Sequence, residues 1–158
     1  MKIYLASGWF TTEQKQKMDK VRNFLLKQEY QVFTPFYDGI VLEKDASQEE
    51  RKKVFDIDIG MIRHVDLVVA IIDDFEPGTI FEMGYAKGYE DAWDLIATIR
   101  PPIRAKILAY SDVSGRGLNV MLAEACIGFA NGLRELGEKL KKINVLIENP
   151  EHWRNEIE

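Results

Sequence analysis

The 158 residues are 46% apolar and 30% charged, the make-up of an ordinary water-soluble domain large enough to bury a full core. Lysine and arginine number 21 against 26 acids, and the resulting net charge of −5 argues against a nucleic-acid backbone or an anionic membrane as partner. The lone Cys126 excludes an intramolecular disulfide and offers no metal cluster, and no apolar run approaches the ~20 residues of a membrane span. Met1-Lys2 leads straight into a strand-like run rather than a signal peptide, so one cytoplasmic domain over residues 1–158 is expected.

Lys2 to Ala6 (KIYLA) reads as a buried strand, and Ser7-Gly8-Trp9-Phe10 as a loop before a helix capped by Thr11. That helix carries Met18, Val21, Phe24 and Leu25 at helical spacing. Tyr30 to Phe33 is a second strand closed by Thr34-Pro35, with a loop from Phe36 to Asp45. The polar run from Ser47 opens a second helix, with Val54, Ile57, Met61 and Ile62 on one face. Leu67 to Ile72 is short, apolar and β-branched, as a strand covered on both faces reads. A helix is expected from Thr79, a turn at Arg100-Pro101-Pro102, a strand over 103–110 and a polar loop over 111–117. Helical spacing then runs from Leu118 through Met121, Ala123, Ile127 and Phe129 and on to Leu140, with Gly132 marking a break between two helices. Ile143 to Ile147 is expected as a last strand, followed by a short tail helix anchored by Trp153. This alternation predicts an α/β fold, a flavodoxin-like three-layer sandwich with a central parallel sheet and right-handed crossovers.

Ligands of such sheets bind beyond the carboxyl ends of the strands, which draws attention to the stretch from Asp73 to Gly88. Thr79-x-x-Glu82 fits a capping box, in which Glu82 serves only the helix start. It fits equally a carboxylate kept ionised by that helix start and stripped of water by Ile80, Phe81 and Met83, hence nucleophilic. Asp73, Asp74 and Glu76 are more acids than one cap needs, and one is a candidate proton donor to a leaving group; a solvated acidic loop is the other reading. Asp58, among Ile57, Ile59, Met61 and Ile62, is either buried and paired or turned to a pocket, with Asp56 its more exposed alternative. Tyr4 inside the first strand needs a partner for its hydroxyl, and a carboxylate at the sheet centre is expected. Trp9 and Phe10 are either core or exposed ring faces suited to a flat heteroaromatic ligand. Asn119 caps a helix or reaches a ligand hydroxyl. There is no GxGxxG and no GxxxxGK[ST], and His64 and His152 lie far from the acids, so neither a dinucleotide, a nucleoside triphosphate nor a metal is indicated.

Five segments together resemble the nucleoside 2-deoxyribosyltransferases, from the first strand to about Met121: IYLASGWFTTEQ, TPFYDG with Asp38, FDIDIGMI with Asp58, GTIFEMGYA with Glu82, and LNVM with Asn119 and Met121. The resemblance implies that Glu82 attacks the anomeric carbon and that Tyr4 orients it. It further implies that Asp58 grips the deoxyribose, and that Gly8, Trp9 and Phe10 form the base pocket, with Asp38, Asp73 and Met121 also contacting substrate. Asn119 matches a residue that reaches a neighbouring subunit's site, so a homo-oligomer, built from dimers and up to a hexamer, is implied. The family's base-contacting Asp stands where this chain has Glu76, with Asp73 or Asp74 as possible substitutes, and the tail NEIE departs from the family's short aromatic end.

The implied activity is transfer of 2-deoxyribose between nucleobases through a covalent deoxyribosyl-glutamate, with slow hydrolysis as a side reaction and no cofactor. Partners would be 2′-deoxynucleosides and free nucleobases. The alternatives are a 2′-deoxynucleoside 5′-monophosphate N-glycosidase, with Ser7, Gly8, Ser111, Ser114, Gly115 and Arg116 as part of a phosphate cradle, and a non-catalytic nucleotide-binding domain.

Overall fold

The computed structural model describes residues 1–96 and 104–148. Five strands, β1 (Lys2–Ala6), β2 (Gln31–Phe33), β3 (Leu67–Ile71), β4 (Lys106–Ser111) and β5 (Gly128–Asn131), form one parallel sheet in the order β2-β1-β3-β4-β5. Six helices connect and follow them: α1 (Thr12–Lys27), α2 (Pro35–Asp38), α3 (Gln48–Ile62), α4 (Pro77–Ile96), α5 (Val120–Ala125) and α6 (Gly132–Glu148). This is the flavodoxin-like arrangement, and its strand order reverses between β1 and β3.

Strand parity sorts the core into two layers. Ile3, Leu5, Leu67, Val69, Leu108 and Tyr110 face Met18, Val21 and Leu25 of α1 and Leu136, Leu140 and Ile143 of α6. Tyr4, Ala6, Val68, Ala70, Ile107 and Ala109 face Ile59 and Ile62 of α3 and Met83 and Ala86 of α4. A right-handed crossover puts its helix on one face when the chain steps one way along the sheet and on the other when it steps back. The step β1 to β2 therefore carries α1 on one side, and the reverse steps through α3 and α4 lie on the other.

Several local expectations are corrected. The segment predicted as continuous helix past Ile127 is instead α5 followed by β5: Cys126 is already extended (φ −100°, ψ 142°), and Ile127 donates to the Ile107 carbonyl to begin the edge pairing. Gly132, at φ 78°, turns that strand into α6 rather than separating two helices. The strand expected at Ile143–Ile147 is the last part of α6, because Leu136, Leu140, Ile143 and Ile147 recur at helical spacing against the sheet. Part of the loop expected after Pro35 is the single-turn helix α2. The turn at 100–102, the strand start at 103 and the Trp153 tail lie outside the described residues.

Helix α1 ends in a Schellman turn: Glu29 N–H donates to the Leu26 carbonyl and Tyr30 N–H to that of Leu25, which puts Glu29 at φ 62°. A side chain in the left-handed region costs ~1–2 kcal/mol, partly offset in glycine by a freer unfolded chain. Glu29→Gly is expected to raise stability by about 0.5–1 kcal/mol. Urea denaturation reads this; a midpoint at or below wild type would contradict it.

Candidate active site

Tyr4 lies mid-strand in β1, wholly buried, its ring stacked on Phe33 at 5.5 Å. Its hydroxyl donates to Glu82 Oε1 at 2.5 Å. Glu82 is not part of a capping box. Helix α4 begins at Pro77, two residues earlier than expected, and the Glu76 carboxylate takes the cap, accepting from Gly78 N (2.9 Å), Thr79 N (2.7 Å) and the Thr79 hydroxyl (3.1 Å). Proline at the first helical position has no N–H to satisfy, so Glu-Pro-Gly-Thr is itself a helix start. Glu82, in the second turn, is left free to meet Tyr4.

Burial pushes the Glu82 carboxyl up to about 8; the Tyr4 hydrogen bond pulls it down, and the charges of Asp58 and Glu76 push it further up. Desolvation thus outweighs the helix start that was expected to hold it ionised. Burial, then the Glu82 charge, drive the Tyr4 phenol far above its ordinary value, so it remains a donor across the working pH range. Asp58, half-buried on α3, is raised to about 6 by desolvation, and its Oδ1 is buried with no hydrogen bond from the protein. A buried acceptor of that kind costs stability and suits a hydroxyl donor from a ligand.

At the switch point Gly8 lies under two helix caps. A Cβ on Gly8 would stand 3.0 Å from the Gln14 side chain and 3.0 Å from Glu76 Cγ. Gln14 closes the capping box of α1 with Thr11 and also accepts from Phe10 N at 3.0 Å, so it fixes the backbone of the aromatic loop. Trp9 is half-buried against the core, while Phe10 is 72% exposed and stacked on it at 5.3 Å. Phe36 backs Trp9 at 6.1 Å. The resulting platform has one ring anchored and one open.

The remaining candidates stand elsewhere. Asp73 is buried on the α1 side, where it accepts from the Ser111 hydroxyl and, at 3.3 Å, from Asp112 N, with Lys17 at 3.4 Å. That network is separate from Tyr4 and Glu82. Asp74 is exposed. Asp38 accepts from Thr34 N at 2.8 Å and faces Arg22 at 3.6 Å. Asn119 caps α5, its Oδ1 accepting from Leu122 N at 3.0 Å, and Met121 is 76% exposed. Cys126 ends α5, its thiol pushed up to about 11 by burial. Gln14, Phe33 and Phe36 support the site without having been singled out; Thr11-x-x-Gln14 carries a readable capping signal, and the two phenylalanines carry none. No helix among the described residues is long and apolar enough to cross a membrane.

Fold and site define a flavodoxin-like domain with a desolvated carboxylate at its switch point. The sequence model of nucleoside 2-deoxyribosyltransferases matches residues 3–121, most of the chain. The protein belongs to the nucleoside 2-deoxyribosyltransferase family. A search of curated proteins finds no significant match. Among solved structures, the 2-deoxyribosyltransferase of Bacillus psychrosaccharolyticus is similar at 24% identity and a TM-score of 0.71, over 86% of this chain and 90% of that one. A conserved protein of Enterococcus faecalis is similar at 17% identity and TM-score 0.68, over 90% and 98%. The CMP N-glycosidase of Clostridium botulinum is similar at 18% and 0.52, over 89% and 98%. At these identities the likeness establishes the fold.

The raised Glu82 carboxyl has a stability consequence. In the unfolded chain it ionises near its ordinary 4.5 and in the folded chain near 8, so the unfolded state releases its proton first. Folding stability contributed at this site is therefore full below about pH 4.5 and is lost as pH rises toward 8. Glu82→Gln keeps an acceptor for Tyr4 and removes the titration, so at pH 9 it is expected to be the more stable protein by about 1–3 kcal/mol. Denaturant melts at pH 5 and pH 9 measure the difference; an equal gap at both values would contradict it.

Proposed function

We propose that the protein transfers 2-deoxyribose from one nucleobase to another, with Glu82 as nucleophile. The observation that carries this reading is the Tyr4 hydroxyl fixed on a desolvated carboxylate at the crevice where the strand order reverses. Tyr4 holds one oxygen, so the other lone pairs of the ionised group are free to attack C1′ as the N-glycosidic bond breaks and its electron pair passes to the ring nitrogen. The product of this half-reaction is a deoxyribosyl ester of Glu82 and a free base. A second base, attacking C1′ from the vacated side, releases Glu82, and two inversions give net retention. Water in place of that base gives slow hydrolysis.

Glu76 is the acid best supported for the base proton: in its neutral form it protonates the departing ring nitrogen, and the carboxylate so formed takes the ring N–H proton of the incoming base. Its side chain lies against Gly8, next to Trp9 and Phe10, and its Oε1 takes one hydrogen bond from the chain, which leaves a lone pair for a ring N–H. Asp73 is already engaged by the Ser111 hydroxyl, Asp112 N–H and Lys17. The partnerless Asp58 Oδ1 would accept from a sugar hydroxyl. The exposed Asn119 and Met121 on and beside α5 fit a role in a neighbouring subunit's site of a homo-oligomer, where the protein's substrates are 2′-deoxynucleosides and nucleobases.

Incubation with a 2′-deoxynucleoside and a different free base is expected to give the exchanged nucleoside on a chromatogram, and Glu82→Ala to give none. Release of base from a nucleoside 5′-monophosphate without exchange would favour the N-glycosidase; binding with no turnover in wild type would favour a sensor. Because Glu82 must be ionised to attack, kcat/KM should rise with pH through about 8. Tyr4→Phe removes the hydrogen bond to the charged form, which moves that limb to higher pH and lowers kcat by roughly 10²-fold. Asp58→Asn removes a like charge and moves it lower; limbs unmoved in both variants would exclude Glu82 as the titrating group.

A further inference from the structure

Helix α2 is a single turn, too short to be stable on its own helical bonds. It is held by a cluster on one stripe of α1. The Tyr37 hydroxyl donates to Asp19 Oδ1 at 2.7 Å and accepts from Lys15 Nζ at 2.9 Å, and Lys15 and Asp19 are themselves paired at 2.7 Å. The Arg22 guanidinium lies 4.6 Å from the Tyr37 ring centroid and pairs with Asp38 at 3.6 Å. Lys15 Nζ also lies 5.0 Å from the ring centroid of Phe36. Exposed pairs taken singly contribute ~0–1 kcal/mol. Here several meet on one phenol, and cation–π contacts add to them.

What this cluster fixes is the ring behind Trp9. Tyr37 meets Phe36 edge-on at 4.9 Å, and Phe36 meets Trp9 at 6.1 Å, with Phe10 stacked beyond. The order from α1 outward is thus polar clamp, Tyr37, Phe36, Trp9, Phe10. Gln14 of the same helix holds the Phe10 backbone from the other side. Both supports of the open ring face come from α1, one through backbone and one through packing.

We infer that Tyr37 is a positioning residue for the aromatic platform: through Phe36 it fixes Trp9, and so it sets the affinity for a flat nitrogenous base without touching base or sugar. The inference deepens the transferase reading and rests on it. Its signature is a KM effect, since loosening one wall weakens a stack made alike in ground and transition states and leaves the Glu82 chemistry alone.

The test uses the full chain with Trp93→Phe and Trp153→Phe, which leaves Trp9 as the sole indole. Adenine and thymine are titrated against its fluorescence, and exchange kinetics are measured in parallel. In that parent, at least one base should quench Trp9 saturably. Adding Tyr37→Phe should weaken that binding roughly tenfold and raise KM alike, with kcat within about twofold. Asp19→Asn, which loosens the same clamp from α1, should reproduce the pattern. Unchanged affinity in both variants, or a fall in kcat at unchanged KM, would overturn the role of Tyr37 alone. Absence of quenching by either base in a parent that still exchanges bases would overturn the role of Tyr37 alone, and absence of exchange in the parent would overturn the base-exchange reading.

Discussion

A phenol donating to a carboxylate, both withdrawn from water, is the interaction on which the site depends. Tyr4 can make it because β1 is central, so its ring is buried without exception, and because parity turns residue 4 to the face where α4 passes. The bond favours the ionised form of Glu82, while burial, Asp58 and Glu76 oppose it. A carboxylate in water titrates near its ordinary value; one balanced between these terms is raised to about 8, close to neutral pH. The fold accepts a stability cost at this point, and the wholly apolar, fully buried β3 paired beside Tyr4 helps to offset it.

Sheet topology decides which side chains can take part. With the order β2-β1-β3-β4-β5, the loops after β1 and β3 are neighbours at the reversal, and they carry Gly8-Trp9-Phe10 and Asp73 to Glu76. Parity continues past the strand end: Asp73 shares the face of Ile71 and finds Lys17 on α1. The acids of this loop are thereby divided, one into a structural ion pair and one, Glu76, onto the helix cap beside Gly8.

Much of this was legible in the chain. The three central strands, the capping of α1 by Thr11, the helix opening after Ser47 and the sandwich class follow from period and cap chemistry, and they are present. Three Ser/Thr-x-x-Glu/Gln patterns occur at helix starts and only two close as boxes; the third yields because Glu76-Pro77 offers an earlier cap. The edge strand β5 was hidden in a helical reading, since its four residues are too few to show alternation and sit between two true helices. The partnership of Tyr4 with Glu82 spans 78 positions, and no local pattern encodes a contact at that separation. It needs the crossover handedness to say which helix covers which face.

The loop that delivers Glu76 also shows where strain is tolerated. Phe75, at φ 47°, occupies the left-handed region without being glycine, at a cost of order 1–2 kcal/mol. Its N–H still donates to the Ile72 carbonyl, and the Arg116 guanidinium lies 4.5 Å from its ring centroid, so two contacts hold a conformation the residue would otherwise leave. The turn is what brings the chain from the end of β3 into the first turn of α4 within five residues, with the Glu76 carboxylate facing back onto Thr79. Glu76 follows directly on that turn, and its side chain meets both the start of α4 and Gly8. The strained turn, the cap and the close glycine therefore act together on one residue, Glu76.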